Sequence, residues 1–326
     1  MLKQLVAALA AFTTMIGGSV AQPAAPKDFP ARVELHAFQS LTVSDQQFLT
    51  GDANGRPVTL TGELRIAQGQ GKLPLVILMH GSGGLGGNVE AWSRHFNAMG
   101  ISTFAIDGFT GRGLTAVSSN QALLGRLNFV LDVYRALALV ANHPRVDGSR
   151  VALMGFSRGG QAALYASLDR FHKMWNTSGA DFVAYLPFYP DCATTFIGDT
   201  DIGARTIRVF HGSSDDYNPV ATCRAYMTRL AAAKRDASLT EYAGAHHTFD
   251  NPLGASKPTL SPASQSVRAC SVREAEGGSL INTATSAPFS YKDACVVLGP
   301  HTGYDPTATE AATRAVTEQL RAAFKR

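Results

Sequence analysis

The sequence predicts an α/β fold: a mostly parallel central sheet with helices on both faces, entered through antiparallel strands at the N-terminal side. Three observations carry this. Continuous apolar runs recur along the chain, as strands buried on both faces require. Stretches with apolar residues at helical spacing separate those runs, and alternating strand and helix means a parallel sheet. Ahead of the first run the pattern is different: residues 33–67 alternate, as in Val58-Thr59-Leu60-Thr61-Gly62-Glu63-Leu64, which suits antiparallel strands with one solvated face.

Taken in order, residues 1–21 open on Met1-Leu2-Lys3, pass through an apolar stretch at 5–16 and end on Ser19-Val20-Ala21. A charged start, an apolar centre and a small-x-small site make a secretory signal cut after Ala21. The stretch is short for a membrane span of ~20 residues. The expected product is exported, periplasmic or secreted, with no stable span after cleavage. Residues 22–32 read as an extended leader, and 33–326 as one α/β domain. Its buried strands fall at 75–79, 101–106, 151–155, 182–186 and 207–210, followed by a strand at 239–242. Helices are expected at 89–99, 121–142, 159–168 and 219–234. In the long one Leu123, Leu127, Val130, Leu131, Tyr134, Leu137 and Leu139 share a face. Residues 251–303 form a polar insertion without regular pattern. A closing helix spans 306–325, with Asp305 as N-cap ahead of Pro306.

The formal charge is +4, from 29 Lys and Arg against 25 Asp and Glu. No basic cluster stands out, so no nucleic-acid partner is implied. Four cysteines, Cys192, Cys223, Cys270 and Cys295, lie in the second half without a C-x-x-C pair. In an oxidising compartment they read as disulfides, with three pairings open. The reading favours Cys192–Cys223 and Cys270–Cys295, the second stapling the insertion.

The chemistry concentrates at the ends of the buried strands, where open α/β sheets place their ligands. Gly155-Phe156-Ser157-Arg158-Gly159 follows the apolar run Val151-Ala152-Leu153-Met154. A strand, a tight turn and a helix would lift the Ser157 hydroxyl above the sheet edge, with glycines where a Cβ would clash. Asp215 and His247 follow later strands, in the chain order Ser, Asp, His. A serine needs an imidazole to take its proton, and the imidazole needs a carboxylate to set its tautomer. Asp216 is the alternative acid and His246 the alternative base. The developing oxyanion needs backbone donors. Arg158 N–H is one, and Ser82, with Gly83 as second choice, supplies the other from His80-Gly81-Ser82-Gly83-Gly84. His80 is expected to order that loop, and Asp107 its own turn. Substrate contacts are assigned to Phe109, Arg112 and Tyr217. Arg112 either grips a substrate carboxylate or pairs with Asp107. Trp92, Tyr185, Phe188 and Tyr189 are further candidate walls. His246, His247 and Asp250 lack a third-ligand motif, so no metal is expected, nor any cofactor.

These motifs resemble the α/β-hydrolase superfamily and, within it, the dienelactone hydrolase family. The matching segments are 80–84, 155–160, Gly212-Ser213-Ser214-Asp215 with Pro219, and the histidine loop 242–250. The resemblance covers about residues 57–250 and the final helix, and it places the base on His247. The founding members of the family are cytosolic with a cysteine nucleophile; Ser157 stands there in this chain, beside a signal, disulfides and an insertion. The resemblance implies a carboxylic ester hydrolase acting on a small-molecule ester, and a serine favours ordinary esters. The expected activity is serine hydrolysis through an acyl-enzyme. A peptidase or acyltransferase with the same three residues is the second reading, and a non-catalytic binding protein on this fold the third.

Overall fold

A computed structural model of the protein describes residues 26–325. The predicted signal, residues 1–21, lies outside the described residues. Arg32, assigned to the leader, is the first residue of a strand. Strand β1 (Arg32–Thr42) pairs antiparallel with β2 (Arg56–Ile66). Between them sits helix α1 (Asp45–Thr50), closed by a capping box between Ser44 and Gln47. This helix was not expected, because six residues are too few to show a helical period.

The remaining strands are β3 (Leu73–Met79), β4 (Ser102–Asp107), β5 (Val146–Phe156), β6 (Tyr185–Phe188), β7 (Ile207–Gly212) and β8 (Ala237–Tyr242). They form an eight-stranded sheet in the order β1-β2-β4-β3-β5-β6-β7-β8. β2 meets β4 antiparallel, and every pair beyond is parallel. The apolar runs explain themselves here. Along β3, Leu75, Ile77 and Met79 enter one core, while Val76 and Leu78 enter the other. A strand whose residues alternate between two dry faces has no position for a polar side chain.

Helices α2 (Gly87–Ala98) and α7 (Pro306–Ala323) cover one face through Trp92, Phe96, Ala312, Val316 and Leu320. The other face is covered by α3 (Asn128–Val140), α4 (Arg158–Tyr165), α5 (Asp169–Trp175) and α6 (Val220–Ala232). Asp305 caps α7 through Ala308 N–H, with Pro306 in the first turn.

Two expectations need correcting. The long helix at 121–142 begins only at Asn128; residues 121–123 make a separate 3₁₀ turn, and Leu123 is 52% exposed rather than buried. A Cβ on Gly125 would press on Asn128 Nδ2 at 2.9 Å and Val43 O at 3.0 Å, a pair whose own hydrogen bond of 2.8 Å holds the start of α3. The fourth buried strand lies at Tyr185–Phe188 instead of 182–186. Pro187 within it reads as a terminator in sequence, yet it occupies the ladder opposite Gly155.

The 251–303 segment is an arm that doubles back on itself. Thr259–Leu260 pairs with His301–Thr302, and Gln265–Ser266 with Val297–Leu298. At its tip, Val272–Glu274 pairs with Leu280–Asn282 and also, in parallel, with Thr194–Thr195. Disulfide Cys270–Cys295 joins its two limbs, and Cys192–Cys223 ties the loop after β6 to α6. Arg170 on α5 grips Glu274 with two bonds, at 2.9 and 2.6 Å.

At the sheet's centre α4 starts against β3. A Cβ on Gly159 would lie 2.1 Å from Met79 O, and one on Gly155 would lie 2.0 Å from Gly159 O. Backbone cannot yield there as a flexible side chain could. Gly159→Ala is expected to destabilise the protein by about 3 kcal/mol or more in urea unfolding. A loss below about 1 kcal/mol would show that α4 can shift freely.

Candidate active site

Ser157 occupies the turn between β5 and α4 at φ 55° and ψ −113°, a backbone conformation that a residue with a Cβ seldom adopts. Its amide donates to Phe188 O at 3.0 Å, and its carbonyl accepts from Gln161 N at 2.7 Å. The turn is therefore held at both ends while the hydroxyl stays half-exposed.

His247 lies in the turn after β8, buried to 2% exposure. Its Nε2 is 2.9 Å from Ser157 Oγ, and its Nδ1 is 2.7 Å from Asp215 Oδ2. The carboxylate accepts the Nδ1 proton, which leaves the Nε2 lone pair facing the serine hydroxyl. Asp215 is fixed in turn: its Oδ1 accepts from Tyr217 N at 2.8 Å and Asn218 N at 2.9 Å. The Tyr217 ring stacks on His247 at 4.6 Å between centroids, and Tyr189 meets the same imidazole edge-on at 4.7 Å. The two rings hold the imidazole in one plane.

The neighbouring candidates face elsewhere. Asp216 accepts from His301 N at 2.7 Å and pairs with His301 Nδ1 at 2.9 Å and Arg268 Nη1 at 3.4 Å. It fastens the arm. The His246 ring lies 6.3 Å from that of His301, on the arm side. Gly303 N–H donates to His247 O at 3.0 Å, so the returning limb of the arm also braces the histidine turn.

Ser82 and Gly83 line the cleft beside Ser157, and the Arg158 amide opens α4 next to it. The Arg158 side chain turns away. It donates to Leu124 O at 2.9 Å, Gln121 O at 3.2 Å and Gln121 Oε1 at 2.6 Å. Gln121 also accepts from Ser82 Oγ at 3.1 Å, donates its side-chain N–H to Tyr217 OH at 3.4 Å and donates its backbone N–H to Gln265 Oε1 at 2.8 Å. It joins the glycine loop, helix α4, the histidine's stacking partner and the arm. Sequence reasoning missed it, because a glutamine in a short turn belongs to no motif.

Of the three substrate-contact assignments, only Tyr217 lines the cleft. Arg112 is corrected: its side chain is 1% exposed and forms a two-bond pair with Asp132 at 2.7 and 2.9 Å. It also donates to Gly108 O and Leu41 O, at 2.7 and 2.9 Å, so no substrate carboxylate can reach it. Asp107 is not its partner, since Oδ1 of that residue accepts from Phe109 N and Thr110 N, both at 2.9 Å. Phe109 is corrected too, lying buried beneath His80 at 4.6 Å and against Phe129 at 5.4 Å. Trp92 donates to Asp250 at 2.8 Å; Tyr189, which lines the cleft as expected, donates to the same carboxylate at 2.6 Å. Tyr185 donates to Asp181 at 2.9 Å, and Phe188 packs in the core.

One group of potential metal-ligating atoms appears among the described residues, at Glu34, His36 and His143, far from Ser157 in the chain. Arg145 N–H donates to His143 Nδ1 at 3.2 Å, which keeps that ring's proton on Nε2, the atom facing Glu34. The group is a satisfied hydrogen-bond cluster.

A parallel sheet wound with helices on both faces, with a serine lifted on a glycine-flanked turn beside histidine and aspartate, is the architecture of the α/β-hydrolases. Residues 61–324 match the model of the Dienelactone hydrolase family, and the chain belongs to that family of ester hydrolases. Among solved structures it is similar to a dienelactone hydrolase-like promiscuous phosphotriesterase from metagenomic libraries. The identity is 18%, the coverage 88% of this chain and 98% of that one, and the TM-score 0.54. It is similar also to a protein named m3DLH, at 19% identity, 89% and 98% coverage and a TM-score of 0.55. At these identities the likeness is one of fold. No curated protein matches the chain.

Two outcomes follow from buried groups beside the site. Arg112→Met, which leaves Asp132 buried without its partner, is expected to cost about 3–5 kcal/mol in urea unfolding. Burial lowers the His80 pKa from 6.5 to about 4, while Nδ1–H donates to Gly81 O at 2.7 Å and Nε2 accepts from Gly108 N at 3.0 Å. Between these two values the unfolded chain takes up a proton that the folded protein refuses. Stability therefore falls as pH drops from 6.5 toward 4, by up to about 1.4 kcal/mol per pH unit from this residue. Burial also lowers the His95 and His211 pKa values. In His80→Gln the slope of stability against pH should become shallower without vanishing; an unchanged slope would show that His80 carries none of it.

Proposed function

We propose that the protein hydrolyses carboxylic esters through an acyl-enzyme, with Ser157 as nucleophile, His247 as general base and acid, and Asp215 as the carboxylate that orients it. The observation that carries this reading is the unbroken relay from Ser157 Oγ through His247 to Asp215, at 2.9 and 2.7 Å. As Ser157 Oγ bonds to the substrate carbonyl carbon, its proton passes to His247 Nε2. The carbonyl π pair moves onto oxygen, and Arg158 N–H with the Ser82 or Gly83 N–H receives that charge. Collapse breaks the ester C–O bond, and the leaving alkoxide takes the proton from Nε2. Water then repeats the sequence on the acyl-enzyme, releasing the acid and restoring Ser157. Each backbone donor is worth about 3–4 kcal/mol in the transition state, by the effect of removing such donors elsewhere.

Export is part of the reading. Residues 1–21 act as the signal, cut after Ala21, and the two disulfides suit an oxidising compartment. Residues 33–326 act as one hydrolase domain carrying the arm at about 251–303.

Ser157→Ala should abolish hydrolysis of a 4-nitrophenyl short-chain ester while leaving the urea midpoint in place, and a fluorophosphonate probe should label Ser157 alone. Activity retained in that variant would refute the assignment. Asp215→Asn should lower kcat by about 10⁴-fold, as loss of the orienting carboxylate does in serine hydrolases. Asp216→Asn should leave the chemical step far less affected, and a reversed order would move the acid to Asp216.

A further inference from the structure

Among the described residues, a cleft and a smaller cavity both open on Ser157, and of these two the cleft touches His247. The larger, a cleft of about 280 Å³, runs between the glycine loop and the arm; His247, Thr248, Ser261, Ser264 and Thr302 line it. The smaller, about 40 Å³, shares Ser82, Ser157 and Tyr217 with the cleft but does not reach His247. Its walls include Gln121, Arg126, Gln161, Asp191 and, from the arm, Gln265 and Tyr291. In the hydrolytic reading above, on which this inference rests, the leaving alkoxide takes its proton from His247 Nε2. The alcohol part of a substrate must then occupy the cleft, and the smaller cavity is left for the acyl chain.

That cavity is the wrong place for hydrocarbon. Gln161 Nε2 and Arg126 Nε are buried and have no hydrogen-bond partner. The rest of the Arg126 guanidinium is committed to Thr194 Oγ1 at 2.8 Å, Tyr291 OH at 3.2 Å and Asp191 at 3.7 Å, and the Asp191 carboxylate offsets its charge. Phe289 and Tyr291 of the arm stack on the same guanidinium, at 5.0 and 5.6 Å. The donors are thus fixed in place. Water satisfies such groups in a polar cavity, and an entering chain must displace it. An alkyl chain would leave the donors unmet in a buried site, whereas an oxygen within the chain would replace the water's acceptor. Sites built to bond a substrate oxygen reject the analogue lacking it far more strongly than apolar pockets sort chain lengths.

We propose that this cavity is the acyl subsite and that it selects a short acyl group carrying an uncharged oxygen acceptor, of the alkoxy-, hydroxy- or ketoacyl class, with Gln161 as the specificity-determining residue.

The test compares 4-nitrophenyl methoxyacetate with 4-nitrophenyl butyrate, esters that differ by an ether oxygen in place of a methylene. Each kcat/KM is divided by the ester's own hydroxide-catalysed rate constant, which removes the intrinsic reactivity difference. The corrected ratio should favour methoxyacetate by about tenfold or more in the wild-type protein. In Gln161→Met it should fall toward one, through loss of methoxyacetate turnover. A corrected ratio near one in the wild type, or a ratio unchanged in the folded variant, overturns the proposal. Should that variant not fold, inhibition of the wild type by methoxyacetamide against butyramide replaces it. Stronger inhibition by methoxyacetamide is expected, and equal inhibition overturns the subsite. Failure of the wild type to turn over either ester would overturn the hydrolytic reading instead.

Discussion

The backbone of α4 enters the sheet at a distance that admits no side chain. A Cβ on Gly159 would meet Met79 O at 2.1 Å, and one on Gly160 would meet Phe188 O at 2.4 Å. The turn at Ser157 is thereby wedged between the ends of β3 and β6, and the serine takes a positive φ at a cost of about 1–3 kcal/mol. A conformation of that cost persists only where the surroundings leave no alternative. Here they are β3 and β5, whose central residues are fully buried between two cores. The same contact sets the glycine loop at the end of β3 beside the serine and aims the first amide of α4 at the same space.

Around this wedge the polar groups are settled by partnership. Asp215 is buried and takes the histidine proton on one oxygen and two backbone amides on the other. Its neighbour Asp216 points outward and holds the arm through His301 and Arg268. Adjacent carboxylates therefore serve different ends: one positions the imidazole, and the other anchors the segment that closes the cleft over it. Gln121 bridges the two sides, tying Ser82, Arg158 and Tyr217 to Gln265 of the arm. Removing any member of such a buried network strands the others. The arm, though appended to the sheet, is thus joined to the parts that hold Ser157 and His247.

Arg112 and Arg126 illustrate how burial redirects charge. Arg112, near the tip of β4, is consumed by Asp132, with Ser40 donating to the same carboxylate at 2.6 Å, and it stiffens the junction of β1 with α3. Arg126 lies buried between the loop that bears Asp191 and the aromatic residues of the arm, beside the smaller cavity at Ser157. The sequence shows Arg112 beyond the end of a strand and Arg126 within an expected helix, and only their neighbours separate a structural ion pair from the wall of a cavity.

The sheet, its parallel order, the closing helix and the Ser157 turn were legible because each leaves a local signature. Double-sided burial forces unbroken apolar runs, Asp305 and Pro306 mark a helix start, and a backbone approach too close for Cβ forces glycine. The disulfide pairing was legible as well, since neighbours along the chain are the cheapest to join. What sequence could not show depends on which distant side chain fills a given space. The sequence reading prefers Asp215 to Asp216 and His247 to His246, but the contacts each of these makes turn on the direction two loops take as they leave β7 and β8, and adjacent residues in a loop have no fixed period. The partners of Arg112, the bridging role of Gln121 and the folding of the arm across the cleft arise from contacts between segments far apart in the chain. Sequence alone determined the scaffold and the turn that bears Ser157, because those are written in short-range steric and burial constraints; the tertiary structure decided which side chains meet Ser157 and which wall the cleft, because those are set by long-range pairing of buried polar groups.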